Sequence, residues 1–340
     1  MMGRPNRKGF TWTEAVVVVS IVFVLFALLS PALHSHRRPA RRTACKNNLK
    51  QIMLAMHNYH DVYSSFPAGW YESDSGDGTA NWAWSAMLLP FLQEPRIYDA
   101  LDIKNSRATG AVRNPDKGAM FERGYEPFRC PEDDAPDVID ITFGNRTLAV
   151  PRSNYVAANG SGRLHVDAEV AEPFTGPVPR DPAEPVGANG LFVRNVGRTV
   201  REIYDGTSNT IAVGERGTTV PPDPKTGRPE IAAAAAVLFV VSGSDDPRTL
   251  NGNAAAGRGQ NVALFAGLFG INSARGVTDS PSPEASFGVA SRHVGGVQVG
   301  LADGTVRFIS ERIDFDPSPE IDSTWEQLLA RNDGQVPGEF

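Results

Sequence analysis

The chain of 340 residues has only two cysteines and six histidines, and no surplus of positive charge. Its 33 Lys and Arg stand against 39 Asp and Glu, a formal charge of −6. So few cysteines exclude a disulfide-dense scaffold and the paired cysteine motifs that hold structural zinc. An acidic balance argues against a nucleic-acid partner. Motifs of catalysis are also missing. Gly257-Arg258-Gly259 opens no helical pattern and no Gly-Lys phosphate loop follows it. Gly160-Ser161-Gly162 lacks the spacing of a nucleophile elbow. The expectation is therefore a chain that is not an enzyme and needs no cofactor. Hydrophobic residues at 41% and charged residues at 21% exclude a multi-span membrane protein and a disordered chain.

One long apolar run is present, and it lies at the start. Arg4, Arg7 and Lys8 form a basic leader, and from Phe10 to Leu29 the only charge is Glu14. Twenty helical residues rise ~30 Å, the thickness of a bilayer's hydrocarbon core. A cleaved signal peptide, a plain anchor and a processed assembly helix are three readings of such a run. Ser30-Pro31-Ala32 is a poor signal-cleavage site, because Pro stands inside it. A carboxylate within a membrane helix costs roughly 2.5–3.5 kcal/mol, so Glu14 points to a partner. Arg37, Arg38, Arg41 and Arg42 follow the run closely, so flanking charge alone sets no orientation.

Arg7-Lys8-Gly9-Phe10-Thr11-Trp12-Thr13-Glu14 resembles the type IV prepilin processing motif. The resemblance implies cleavage between Gly9 and Phe10 by a prepilin peptidase and methylation of the new Phe10 amine. It implies that Glu14 pairs with the amine of a neighbouring pilin-like subunit, and that Pro31 kinks the helix. The body would then be exported, on a single-pass protein of the cytoplasmic membrane. Trp12 and Thr13 depart from the large aliphatics usual there. Loss of the leader would leave 30 basic against 39 acidic residues, a formal charge of −9.

Past the run, Cys45, Leu49, Ile52, Met56, Tyr59 and Tyr63 step by three and four, the stripe of a core-facing helix. Phe66-Pro67 is expected to end it. His57 and His60 lie three apart, a spacing open to a metal but better suited to hydrogen bonds beside the stripe. Cys45 and Cys130 read either as a disulfide of an exported domain or as two free thiols. The bond would close a loop of ~85 residues and add ~4 kcal/mol on the chain-entropy model.

The remainder is loop-rich, with 33 Gly and 26 Pro. Asp303-Gly304 between alternating runs predicts a β-hairpin with positive φ at both turn positions. Asp205-Gly206 predicts a turn into a strand over 209–213, and Asp77-Gly78 another turn. Leu191-Phe192-Val193 and Ala263-Leu264-Phe265 read as short strands. Residues 232–241 read as a buried strand or a short helix, and 320–331 as a helix. Residues 173–186, 220–229 and 251–261 read as inserted loops. His293 before Gly295-Gly296 is a candidate ligand-binding residue, or a stabiliser of the turn before the hairpin. Asp74, Asp77, Asp133 and Asp134 are oxygen donors of the kind that suit Ca²⁺, but without an EF-hand spacing they read better as solvated turns.

Asn47 to Ile52, His57 to Asp61, Cys130-Pro131, Ser153-Asn154-Tyr155, Asp205 to Thr210, Gly214-Glu215, Ser291-Arg292-His293 and Asp303 to Phe308 resemble, in order, the bacterial domain of unknown function numbered fifteen fifty-nine. Pro39 and Val294 depart from its usual pattern. The resemblance implies an α+β, pilin-like fold: a long N-terminal transmembrane and stalk helix packed on an antiparallel sheet with large loop insertions. The expected segments are a leader (1–9), a transmembrane helix (10–33), a stalk (34–65) and an exported domain (66–340). The expected role is a pseudopilin-like subunit of a secretion or pilus-type assembly. The alternative is a membrane-anchored module binding carbohydrate or envelope proteins through loops at 160–190 and 215–260.

Overall fold

The computed structural model describes residues 11–35, 37–71, 81–143, 146–162, 188–217, 235–240, 263–273, 288–316 and 321–340, with backbone alone for 25–35, 37–38, 113, 139–143, 146–148, 236 and 239–240. Two compact units divide the chain, Met1–Thr43 and Ala44–Phe340. Gly9, Phe10, Asp74, Asp77 and the three expected insertions lie outside the described residues.

The first unit holds helix α1 (Trp12–Ser35) and the start of α2 (Arg37–Tyr63). A capping box sets where α1 begins. Thr11 N donates to Glu14 Oε2 at 2.9 Å, and Glu14 N donates to Thr11 Oγ1 at 3.3 Å. Glu14 thus has a partner in its own chain, which the sequence reading did not foresee. Pro31 falls inside α1, among the residues described by backbone alone. Where a membrane span is expected over 10–33, no helix among the described residues is long and apolar enough to cross a membrane. Pro39 does not interrupt α2. It occupies the first turn, where its missing N–H has no partner to lose, and its carbonyl accepts from Thr43 Oγ1.

In the second unit α2 runs to Tyr63, and Ser64 closes it with φ 60°, three residues before Pro67. Cys45, Leu49, Ile52, Met56 and Tyr59 are buried as the stripe predicts, and Met53 joins them. Tyr63 is exposed, with one side of its ring against Tyr59. The strands are β1 (Trp70–Tyr71), β2 (Asn81–Ala83), β3 (Val138–Phe143), β4 (Arg146–Ser153), β5 (Tyr155–Gly160), β6 (Ile211–Glu215), β7 (Ala235–Ala236), β8 (Phe239–Val240), β9 (Leu264–Ala266), β10 (Gly296–Leu301) and β11 (Val306–Ser310). Short helices α3 (Trp84–Met87), α4 (Pro95–Leu101), α5 (Ala108–Arg113) and α6 (Gly118–Phe121) follow β2, and α7 (Thr324–Gln327) lies near the C-terminus.

The central sheet has the order β11-β10-β6-β5-β9. Its pairs are antiparallel except β5 with β9, so the sheet is mixed where an antiparallel one is expected. Two three-stranded sheets, β1-β2-β8 and β3-β4-β7, complete the α+β body. Both faces of the central sheet are covered. Tyr155 and Ala157 of β5 join the core beneath α2, with Trp84 and Phe192. Val156 and Ala158 join a second core with Val297, Val299, Trp325, Leu328 and Leu329. Each large apolar side chain so buried contributes about 1.5–3 kcal/mol before the entropy of ordering it. Gly300 permits the close approach of α2, since a Cβ there would stand 2.6 Å from Met53 Sδ.

The β10–β11 hairpin forms as expected, with a different turn. Leu301 N donates to Thr305 O, and of the loop residues 302–304 only Gly304 has positive φ. A three-residue loop with glycine in the left-handed position replaces the two-residue turn. Asp205-Gly206 leads into β6 and Leu264 lies in β9. Of residues 191–193 only Val193 bridges, to Val196 in an isolated pair, so no strand forms there. Residues 235–240 resolve to two short strands, split at Leu238 with φ 81°. The helix expected over 320–331 is the single turn α7.

Asp333 N and Gly334 N donate to the carboxylate of Asp205, each at 2.8 Å. Burial, and then the neighbouring Asp205 charge, push Asp333 up to about 7, and burial raises Asp205 as well. The folded chain therefore binds more protons than the unfolded one between about pH 4 and pH 7, and stability falls as pH rises through that window. Thermal melts should show a lower Tm at pH 8 than at pH 5, and Asp333→Asn should flatten that part of the slope. An unchanged slope in the variant would remove the pair as its cause.

Candidate functional site

Several separately quoted stretches of sequence meet at one buried place. Cys45 stands near the start of α2, Cys130 follows the turn at Glu126–Phe128, and Asn154 links β4 to β5. Glu215 ends β6, and His293 lies in the turn before β10. Cys45 and Cys130 form a disulfide across 85 residues, with Cα atoms 4.9 Å apart. The alternative of free thiols is thereby set aside.

Hydrogen bonds fix both ends of this bond. Tyr155 Oη donates to Cys45 O at 2.9 Å, and burial holds its phenol well above the usual range. Asn48 Nδ2 donates to Arg129 O at 2.5 Å, and Cys130 N donates to Asn154 Oδ1 at 2.8 Å. Asn154 Nδ2 in turn donates to Asp133 Oδ2 at 2.6 Å and to Arg216 O at 3.0 Å. Arg152, wholly buried, lies 2.9 Å from Asp133 Oδ2 and also donates to Asn154 Oδ1, Pro136 O and Ala135 O. Burial lowers the pKa of Arg152 and brings that of Arg216 down to about 9. Arg216 donates to Gly288 O and Leu264 O.

His293 Nε2 lies 3.6 Å from Cys130 Sγ and 3.3 Å from Glu215 Oε1. Glu215 Oε2 accepts from Gln298 N at 3.1 Å, while Oε1 makes no hydrogen bond. The turn holds His293 through its own N–H, which donates to Ser291 Oγ at 3.1 Å. His293 thus serves its turn and also reaches the disulfide. Asp133 engages Arg152, and Asp134 pairs with Arg292 at 2.6 Å, so cationic side chains already meet two of the four carboxylates considered for Ca²⁺; the other two, Asp74 and Asp77, lie outside the described residues. Nε2 of His57 and of His60 makes no hydrogen bond, and both rings pack on Phe66. Glu215, Arg152 and Asn154 were missed as site residues. Asn154 and Glu215 stood inside quoted stretches, but no spacing marked them as neighbours of a disulfide.

A second feature is a cleft of about 420 Å³ lined by Tyr59, Tyr63, Tyr71, Trp82 and Tyr98, with Lys104 and Arg107 also in its wall. Tyr59 and Tyr71 share a hydrogen bond of 3.1 Å between their hydroxyls, and Trp82 Nε1 donates to Ser106 O. Burial raises the phenols of Tyr59 and Tyr98. Four phenols around one hollow offer both apolar faces and hydroxyls to a ligand. The expected binding loops at 160–190 and 215–260 fall mostly outside the described residues.

The fold and this arrangement define an α+β domain, tied by one disulfide, with a buried polar knot at the tie. Residues 34–316 match the family described as "Protein of unknown function (DUF1559)", and the chain belongs to that family. The match begins beyond the Gly9-Phe10 stretch. No curated protein and no solved structure matches the chain.

The buried charges give a direct test. Asp133→Ala leaves Arg152 as an uncompensated buried cation and should cost about 3–5 kcal/mol in urea unfolding. Adding Arg152→Met should recover part of that loss. A double variant less stable than Asp133→Ala alone would argue against the pair as the main interaction.

Proposed function

We propose that the chain is a non-enzymatic, prepilin-like subunit of a secretion or pilus-type envelope assembly. In this reading it is rooted in the cytoplasmic membrane over 10–33, with residues 66–340 on the outer side. The observation that carries the reading is the exposure of α1. Val16, Val17, Val18 and Val19 are 50%, 55%, 49% and 67% exposed, and at 100° per residue they encircle the helix. Trp12, Ile21, Val22, Phe23 and Val24 extend the same apolar surface. A helix apolar on every side calls for lipid or neighbouring helices. The disulfide agrees with an oxidising compartment beyond the membrane. The capping box keeps the Glu14 carboxylate at the helix start, three residues from Thr11 and four from the Phe10 amine that cleavage would create. The reading calls for no cofactor and no nucleic acid, and for a prepilin peptidase and other pilin-like subunits as partners.

Co-expression with a prepilin peptidase should remove nine residues and leave an N-methylated Phe10, read by mass spectrometry. An intact Met1 in the presence of active peptidase would overturn the reading. Glu14→Ala should impair assembly and leave the melting of the 44–340 unit unchanged.

The tyrosine-lined cleft favours a second reading, a membrane-anchored module that binds carbohydrate. Phenol faces stack on the apolar faces of sugar rings, while hydroxyls and Lys104 meet polar or anionic substituents. A glycan array probed with the full chain should return hits that weaken about tenfold with Tyr63→Ala or Tyr98→Ala. Hits that ignore both substitutions would place binding elsewhere.

A further inference from the structure

We propose that the thiol form of this chain holds Zn²⁺ between Cys45, Cys130, His293 and Glu215. This inference is independent of the assembly and carbohydrate readings. One ligand atom from each residue lies within 4.8 Å of the others, and all four residues are buried. Two thiolates, an imidazole and a carboxylate are a donor set that suits a tetrahedral zinc ion, with bonds of about 2.0–2.3 Å. Sites of this kind place ligand atoms on opposite sides of the ion, so the two sulfurs must part. Rotation about each Cα–Cβ bond does this once the S–S bond is open.

The surroundings already point inward. Glu215 Oε1 is buried, faces His293 Nε2 at 3.3 Å and makes no hydrogen bond. An unmatched buried carboxylate oxygen is costly, and a cation between it and the imidazole removes that cost. The other oxygen is held by Gln298 N, which fixes the carboxylate plane. His293 presents Nε2 toward Cys130 Sγ at 3.6 Å, the nitrogen that would carry the metal as a neutral imidazole.

The chemistry balances in both directions. A small dithiol reduces the Cys45–Cys130 bond to two thiols and is itself oxidised to a disulfide. Zinc then binds and releases the two thiol protons. In the reverse direction a disulfide-bearing oxidant takes two electrons from the thiolates and the ion leaves. A newly made chain starts in the thiol form, so the ion can tie α2 to the body before the covalent bond exists.

The test uses the full chain in detergent, reduced anaerobically and freed of reductant, with Co²⁺ as the spectroscopic probe and Zn²⁺ measured against a chromophoric chelator. One equivalent of Co²⁺ should bind with thiolate-to-cobalt charge-transfer absorption and tetrahedral visible bands. The oxidised chain should show neither. His293→Ala and Glu215→Gln should each weaken Zn²⁺ binding about tenfold or more, by removing one donor. Equal affinity in wild type and His293→Ala would overturn the proposal, because two thiols in a loose chain bind metal without the imidazole. If reduction unfolds the chain, Co²⁺ should restore its near-UV circular dichroism through linkage, and failure to do so overturns the proposal as well.

Discussion

Helix α2 packs on one face of the central sheet together with Trp84 and Phe192, and a single covalent bond ties it to the segment that follows the Glu126–Phe128 turn. The Cys45–Cys130 bond lies where the helix first reaches the core. From there the fit depends on absence of bulk: Gly300 beneath Met53, and Gly304 beside His57, whose ring stands 3.2 Å from where a Cβ would be. The bond restrains the unfolded chain, and the glycines let the folded helix lie close. Neither device replaces the other, because a tethered helix without close contact would bury little.

Charge is placed inside this body in an ordered way. Arg152 and Asp133 are fully withdrawn from water, and their remaining donors and acceptors go to backbone groups and to Asn154. Buried pairs of this kind add little net stability over apolar residues but penalise any arrangement that separates them. Here they fix where the segment after Cys130 meets the β4–β5 corner. The Asp205 and Asp333 carboxyls do similar work at the C-terminal end, with a shared preference for the protonated form.

Much of the local structure was legible in the sequence. The three-and-four spacing of Cys45 to Tyr59 identified the buried face of α2, and Asp303-Gly304 located the hairpin. The turn type escaped because Ala302 joins the loop, which a dipeptide signal does not reveal. Strands of two or three residues, such as β1, β7 and β8, carry no usable periodicity and exist only through partners far along the chain. The parallel β5–β9 pair is hidden for the same reason. At the site, each of Cys45, Cys130 and His293 could be singled out, but their meeting with Glu215 is a property of the sheet. Asp133 was read as a solvated oxygen donor, because burial opposite Arg152 leaves no mark on neighbouring residues.

Strands β5 and β6 lie side by side in the central sheet, yet residues 161–210 separate them along the chain. Between β6 and β10, adjacent again, stand residues 216–295. Closing a connection costs only about 0.6 kcal/mol more for each doubling of its length. The sheet therefore tolerates large differences in the length of these connections while its register stays the same. A lineage carrying this fold is free to lengthen or shorten the parts of these stretches that lie between their core residues, such as Phe192 and Phe265, and so to change what the surface presents, without rebuilding the core that supports it.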